Sequence, residues 1–218
     1  MSQTYSVTIV DYQMGNLRSV QKALEHIGAQ ATITSDPDQI ALADRLILPG
    51  VGAFGDAMRE LKARQLVQPI VDFIHRGQPF LGICLGLQLL FETGDEGGSH
   101  QGLGVIPGRV VRFDLPDGFK VPHMGWNRVR ATQMAGGLLA DLPEDPYFYF
   151  VHSYFVQPED PSLCWLTCDY GGPFCAAIAR DNLIATQFHP EKSQAHGLQL
   201  LKNFSRLPLS SPLSTTTS

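Results

Sequence analysis

The sequence predicts an α/β fold: a mostly parallel sheet covered by helices on both faces, with an antiparallel or mixed sheet added to it. Three observations carry this expectation. Up to about residue 100, short apolar runs alternate with segments of helical periodicity. Beyond that point, β-like runs follow one another between Pro, Gly and Asp. At 79–91, in PFLGICLGLQLLF, one apolar run ends at Cys84 and a second starts directly after it, with Gly82 and Gly86 two residues to either side.

The elements follow in order. Val7 to Val10 is a β-branched apolar run between polar residues and predicts a buried strand. Asn16 can cap the next segment, where Leu17, Val20, Leu24 and Ile27 recur at steps of three and four and Gly28 is a stop. Ala31–Ile33 and Arg45–Leu48 predict two more strands, the second running into PGVGAFG. Residues 54–76 predict two helices broken near Pro69. Phe80–Ile83 predicts a fourth strand, and Leu85–Glu92 the start of a helix. The runs GLGVIPGRVVRF, VPHMGWNRV, YFYFVHSYF, LCWLTCDY and FCAAIAR predict strands, with hairpin turns at Tyr170–Pro173 and Asp181–Asn182. A helix over 194–206 closes the fold, and the Pro/Ser/Thr-rich stretch 207–218 predicts a disordered tail.

A chain of 218 residues suits one such domain, here 1–206, with ample length for a core. Its hydrophobic fraction of 44% and charged fraction of 17% are those of an ordinary globular protein. A net charge of −5 without a basic cluster argues against nucleic-acid binding. The N-terminus lacks the basic and apolar regions of a signal peptide, and no apolar run approaches the ~20 residues of a bilayer span. The expectation is a cytoplasmic protein whose four cysteines are reduced. Cys164, Cys168 and Cys175 form no CxxC pair and read as small residues of β-structure, so neither metal nor cofactor is expected.

Gly-x-Cys-x-Gly between a strand and a helix is the pattern of a nucleophile elbow. The turn is sharp, so residues two positions away must lack side chains. The start of the following helix aims N–H groups at the sulfur and favours the thiolate. A thiolate nucleophile needs a base, and the base needs an orienting group. TQFHPEKS offers both, because His189 follows an apolar strand and Glu191 lies two positions on, where extended backbone points it the same way. The loop from Pro49 to Gly55 lacks the signature of a phosphate loop and reads instead as half of an oxyanion hole. The Leu85 N–H would be one donor and the Gly50–Val51 peptide the other, each typically worth ~3 kcal/mol in the transition state. Gln88, one helical turn after Cys84 and polar among leucines, should touch the substrate.

Taken together, DYQMGNLRSV, LPGVGAFGDAM, GICLGLQLLFE, PHMGWN, FYFVHSYF and TQFHPEKS resemble the class I, triad-type glutamine amidotransferase family over residues 5 to 206. Within it they are most similar to the glutaminase subunits of imidazole glycerol phosphate synthases. Gln13 departs from the family, which has a small residue there. The resemblance implies a flavodoxin-like three-layer sandwich in which Cys84 attacks the carboxamide of glutamine. His189 moves the proton, Glu191 holds the imidazole, and water resolves a glutamyl thioester. It implies further that Glu96 contacts the substrate ammonium, that Ser153 and Tyr154 hold its carboxylate largely through backbone, and that Gly52 lines the same site. Finally, it implies a separate (β/α)8-barrel cyclase subunit that takes the ammonia and is faced by Asn16, Met124, Trp126 and Lys192. Two other readings compete. One is a glutaminase of another synthase or a stand-alone γ-glutamyl hydrolase, and the other is a non-catalytic regulatory subunit. Stand-alone glutaminase activity would favour the hydrolase and latency without a partner an amidotransferase subunit, and a missing triad member would have favoured the regulatory subunit.

Overall fold

The computed structural model describes residues 4–132 and 136–209, so most of the tail expected to be disordered lies outside the described residues. The chain runs β1 (Ser6–Val10), α1 (Leu17–His26), β2 (Gln30–Thr34), α2 (Pro37–Ala41), β3 (Leu46–Gly50), α3 (Phe54–Ala63), α4 (Val67–His75), β4 (Phe80–Cys84), α5 (Leu85–Gln88), β5 (Phe91–Gly94) and β6 (His100–Gln101). It continues through β7 (Ile106–Arg112), β8 (His123–Ala131), β9 (Tyr147–His152), β10 (Tyr154–Pro158), β11 (Cys164–Asp169), β12 (Pro173–Arg180), β13 (Leu183–Thr186) and α6 (Gln194–Ser205).

Five strands in the order β2-β1-β3-β4-β13 pair in parallel and form the centre of the sheet. Side chains alternate across it. Leu46, Leu48 and Phe80 pack against α2, α3 and α4 through Ile40, Phe54, Leu61, Ile70 and Phe73. Val7, Ile9, Ile47, Leu81 and Ile83 pack on the opposite face against α1 and α6 through Val20, Leu24, Leu200 and Phe204. The expected three layers are thus present. The added β-structure is not detached from the first sheet. β12 pairs antiparallel with β13 and forks, to β10, β7, β5 and β6 on one branch and to β11, β8 and β9 on the other.

Several elements differ from the expectations, each for a local reason. Asn16 occupies the N-cap of α1 but its side chain makes no capping hydrogen bond; its carbonyl accepts from Ser19 and Val20 instead. The break between α3 and α4 falls at Gln65, which has φ +58°, whereas Pro69 sits in the first turn of α4, where no N–H is needed. The helix expected over Leu85–Glu92 stops at Gln88. The carbonyls of Leu89, Leu90, Phe91 and Glu92 accept from the returning residues 102–106 rather than from a further helical turn. YFYFVHSYF is two strands with a kink at Ser153. The short α2 has a legible start, Asp36 capping Asp38 ahead of Pro37, but is too brief for a periodic signal.

The nucleophile turn is enforced by contact. A Cβ on Gly86 would lie 1.8 Å from the Leu48 carbonyl oxygen, and one on Gly82 would lie 2.8 Å from that of Gly86. Gly86→Ala should therefore lower the unfolding free energy by at least ~3 kcal/mol. Gly137→Ala, whose Cβ meets nothing within 4 Å, should change it by less than ~0.5 kcal/mol. Urea unfolding midpoints measure both, and equal midpoints for the two variants would contradict the enforced turn.

Candidate active site

β4 delivers Cys84 at its C-terminal end with φ +55° and ψ −108°, a conformation that costs a side-chain-bearing residue ~1–3 kcal/mol. The residue is 7% exposed. Gln187 Nε2 donates towards its sulfur at 3.8 Å, and the Val151 carbonyl lies 4.0 Å away. Because α5 is only four residues long, the field at Cys84 comes less from a helix dipole than from these individual groups.

β13 lies beside β4 and carries the chain directly to His189. The His189 N–H donates to the Tyr149 carbonyl (3.0 Å). Ser193 Oγ donates to the His189 carbonyl (2.6 Å) and accepts from the Tyr149 N–H (2.9 Å). The backbone around the imidazole is thereby fixed to β9. His189 Nδ1 and Glu191 Oε1 are 2.8 Å apart, with both side chains 2% exposed. The geometry is not the extended one expected. Residues 190–192 form a 3-10 turn, and the turn brings the carboxylate to the ring. The carboxylate accepts, so Nδ1 carries the proton and Nε2 is the atom free for chemistry; Nε2 is buried and without a hydrogen-bond partner. Burial opposes the charged imidazole, but a Cys84 thiolate and Glu191 outweigh it and push its pKa up to about 10.

Val51, Gly52, Cys84, Leu85, Gln88, Glu96, Ser153, Tyr154 and His189 line one cavity of about 370 Å³, within the range of small-ligand sites. Gln88 is 5% exposed, and its Nε2 donates to the Tyr154 carbonyl (3.1 Å) and to Gln187 Oε1 (3.2 Å). Both amide hydrogens are engaged, which leaves Oε1 for a ligand. Glu96 Oε2 accepts from the Phe54 N–H at the start of α3 (2.8 Å), so this carboxylate is held at the pocket rather than free in solvent. Gly50 pairs with Cys84 in the sheet and does not line the cavity. The expected second oxyanion donor is turned away, because the Val51 N–H donates to the Met14 carbonyl (3.2 Å). The sequence gives no hint of that bond, since it involves two backbones.

The four residues expected at an interface are exposed. Met124 is 62% and Trp126 45% exposed on β8; Trp126 meets Tyr149 edge-on, and the Lys192 ammonium lies over the same ring. Asn16 is exposed on the segment that follows Met14. Gln13, the departure from the family pattern, has φ +67°, a conformation glycine adopts freely. Sequence reasoning missed Gln187, which was legible as a polar residue in the apolar run before His189, and the buried pair His123 and His152. Among the described residues no group of three or more His, Cys, Asp or Glu is placed to hold a metal ion, and no helix is long and apolar enough to cross a membrane.

Comparison with known proteins adds an independent line. The family model described as glutamine amidotransferase class-I matches residues 8–207. A protein of Rhodopirellula baltica named imidazole glycerol phosphate synthase subunit HisH is 64% identical over 203 residues, 93% of this chain and 98% of the relative. One of the same name from Syntrophotalea carbinolica is 55% identical over 203 residues, covering 91% and 98%. Among solved structures, PurLQS from Thermotoga maritima matches with a TM-score of 0.70 at 19% identity, covering 93% of this chain and 96% of that one. A glutamine amidotransferase from Thermotoga maritima matches with a TM-score of 0.62 at 16% identity, covering 87% of this chain and 77% of that one. At such identities the structural likeness speaks for the fold alone.

If the charge on Cys84 holds the His189 proton, the imidazole should be cationic at pH 7 in the wild type. It should lose that proton only as the pH approaches about 10. In Cys84→Ala the largest raising cause is gone while burial remains, so the ring should titrate at least ~1 unit lower. Nitrogen-15 NMR of labelled histidine reads both states. An unchanged titration in the variant would show that the cysteine does not carry the charge.

Proposed function

The chain belongs to the class-I glutamine amidotransferase family, and on that premise we propose that it is the glutaminase subunit of an imidazole glycerol phosphate synthase. The observation that carries the chemistry is the meeting of Cys84 and His189 in one cavity with Gln88 and Glu96, with His189 bonded in turn to Glu191. The high identity to subunits of that name, over nearly their whole length, carries the assignment within the family.

The geometry supports the following mechanism. The Cys84 thiolate attacks the carboxamide carbon of glutamine and forms a tetrahedral oxyanion. Collapse expels ammonia as His189 Nε2 gives up its proton to the leaving nitrogen, and a glutamyl thioester remains on Cys84. Water then attacks the thioester, the now neutral His189 takes its proton, and glutamate leaves with the thiolate restored. Glu191 keeps the ring oriented throughout. In this reading Glu96 takes the substrate ammonium and Ser153 and Tyr154 its carboxylate, supported by their shared place in the cavity lining.

The oxyanion needs donors. Leu85, first in α5, supplies one N–H. The second is the Val51 N–H, available once the Gly50–Val51 peptide rotates away from Met14. A hole with one donor missing costs ~10²–10³ in rate, which makes the isolated chain latent. Such latency suits a subunit whose ammonia has a consumer and does not suit a stand-alone hydrolase. A non-catalytic subunit would not need the intact triad. The consumer is a (β/α)8-barrel cyclase that makes imidazole glycerol phosphate and aminoimidazole carboxamide ribonucleotide. Asn16, Met124, Trp126 and Lys192 are the residues placed to meet it, with Trp126 as the anchor.

Two outcomes test this. Glutamine hydrolysis by the isolated chain should rise ~10²–10³-fold on adding the cyclase with its nucleotide; full activity without the partner would rule latency out. In the reconstituted complex, Cys84→Ala should abolish glutamine-dependent synthesis yet leave synthesis from ammonium salts at high pH intact. Trp126→Ala should lower only the glutamine-dependent rate, with recovery at excess cyclase. Retained glutamine-dependent synthesis in Cys84→Ala would remove the thiol from the mechanism.

A further inference from the structure

A hydrogen-bonded line of side chains that the triad chemistry does not use starts at the pocket wall, which His152 itself lines, and runs on through His123 to Asn127. His123 on β8 and His152 on β9 stand opposite each other in register, are 3% and 6% exposed, and join Nδ1 to Nε2 at 3.0 Å. His152 Nδ1 reaches across Ser153 to the Tyr154 carbonyl at 2.8 Å. At the other end, Asn127 Nδ2 meets His123 Nε2 at 3.3 Å and the Asp169 carbonyl at 2.9 Å, while its Oδ1 accepts from the Arg128 N–H at 2.8 Å.

The two ends decide every role in between. A carbonyl only accepts, so His152 Nδ1 must carry the proton that meets Tyr154. A neutral His152 then has a bare Nε2, and His123 Nδ1 must donate to it. A neutral His123 in turn has a bare Nε2, which the Asn127 amide satisfies. That amide is oriented by its own oxygen's bond to Arg128. Burial keeps both rings neutral, His123 down to about 4 and His152 down to about 3, the latter opposed by the Tyr154 carbonyl and lowered further by His123 and His189. The His123 ring is held in place by stacking on Tyr170 (4.0 Å) and Phe150 (4.8 Å).

The line ends where the pocket is built. The Tyr154 carbonyl accepts from both His152 Nδ1 and Gln88 Nε2, and the Ser153 carbonyl accepts from the Phe113 N–H. Together these bonds define the kink between β9 and β10, which places Ser153 and Tyr154 in the cavity wall. We propose that His123 is a positioning residue for glutamine, acting through His152 to lock the β9–β10 kink that forms the substrate wall. The proposal rests on the reading of this cavity as a glutamine site. It also means that β8, which exposes Met124 and Trp126 outwards, is tied on its inner side to the substrate wall by two hydrogen bonds.

Two substitutions separate this role from packing. His123→Asn can place its Nδ2 donor where the imidazole has Nδ1–H, but gives up the ring. His123→Phe keeps a ring for Tyr170 and Phe150, but leaves His152 Nε2 buried without a donor. The full chain is inactivated with a glutamine-like chloroketone over a range of concentrations. His123→Phe should raise the half-saturating concentration about tenfold, with the limiting rate changed less than about twofold, and His123→Asn should stay within about twofold of wild type. The opposite order, with Phe like wild type and Asn weakened, would make His123 a packing residue and overturn the proposal. Failure of the wild type to label at Cys84 would instead overturn the glutamine-site reading. Nitrogen-15 NMR of the unliganded wild type provides a check that needs no variant. Both rings should be neutral at pH 7 with the proton on Nδ1, and a proton on Nε2 of either ring would overturn the relay.

Discussion

Cys84 is held in a backbone conformation that its side chain disfavours, and the site is arranged around that constraint. φ of +55° at a non-glycine residue persists only where neighbours over-determine it. Gly86 lies against the Leu48 carbonyl of β3, and Gly82 lies against Gly86 and Ala185 of β13. The two strands that flank β4 therefore grip the turn from both sides. The same packing shortens the path to the base. Residues 84 and 189 are 105 apart in sequence, yet β13 is the parallel neighbour of β4, so its continuation arrives beside the nucleophile.

Charge is organised on top of this geometry. Cys84, His189 and Glu191 are nearly closed to solvent, with the second carboxylate oxygen of Glu191 buried and unpartnered. A buried pair of this kind stabilises the fold only while both partners are charged. The sign follows from the histidine. Its folded pKa of about 10 lies above its ordinary 6.5, so the contribution is complete below pH 6.5 and fades as the pH rises through about 10. Gln187 fits this order, since its amide donates to the sulfur and also accepts from Gln88, tying nucleophile and pocket wall together.

The parts legible in the sequence are those written in local pattern. The central strands, α1, the elbow glycines and His-Pro-Glu each announce themselves by periodicity or by a residue type that only one geometry explains. The illegible parts depend on contacts made across the sheet. α5 stops short because residues 102–106 take the carbonyls of Leu89 to Glu92, and no local signal at Leu89 reports that. The Val51 N–H is turned to Met14 by a bond between two backbones. His123 and His152 look like ordinary residues of β-like runs until register sets them face to face. Glu96 reads as a loop charge until α3 begins beside it.

The covalent intermediate gives the most direct test of the catalytic assignment. The chain is mixed with saturating glutamine, quenched in acid during turnover, digested and analysed by mass spectrometry. A glutamyl group should be found on the peptide that contains Cys84, removable by hydroxylamine as a thioester is, and absent from Cys164, Cys168 and Cys175. Turnover without such an adduct, or an adduct on another cysteine, would contradict the assignment of Cys84 as the nucleophile.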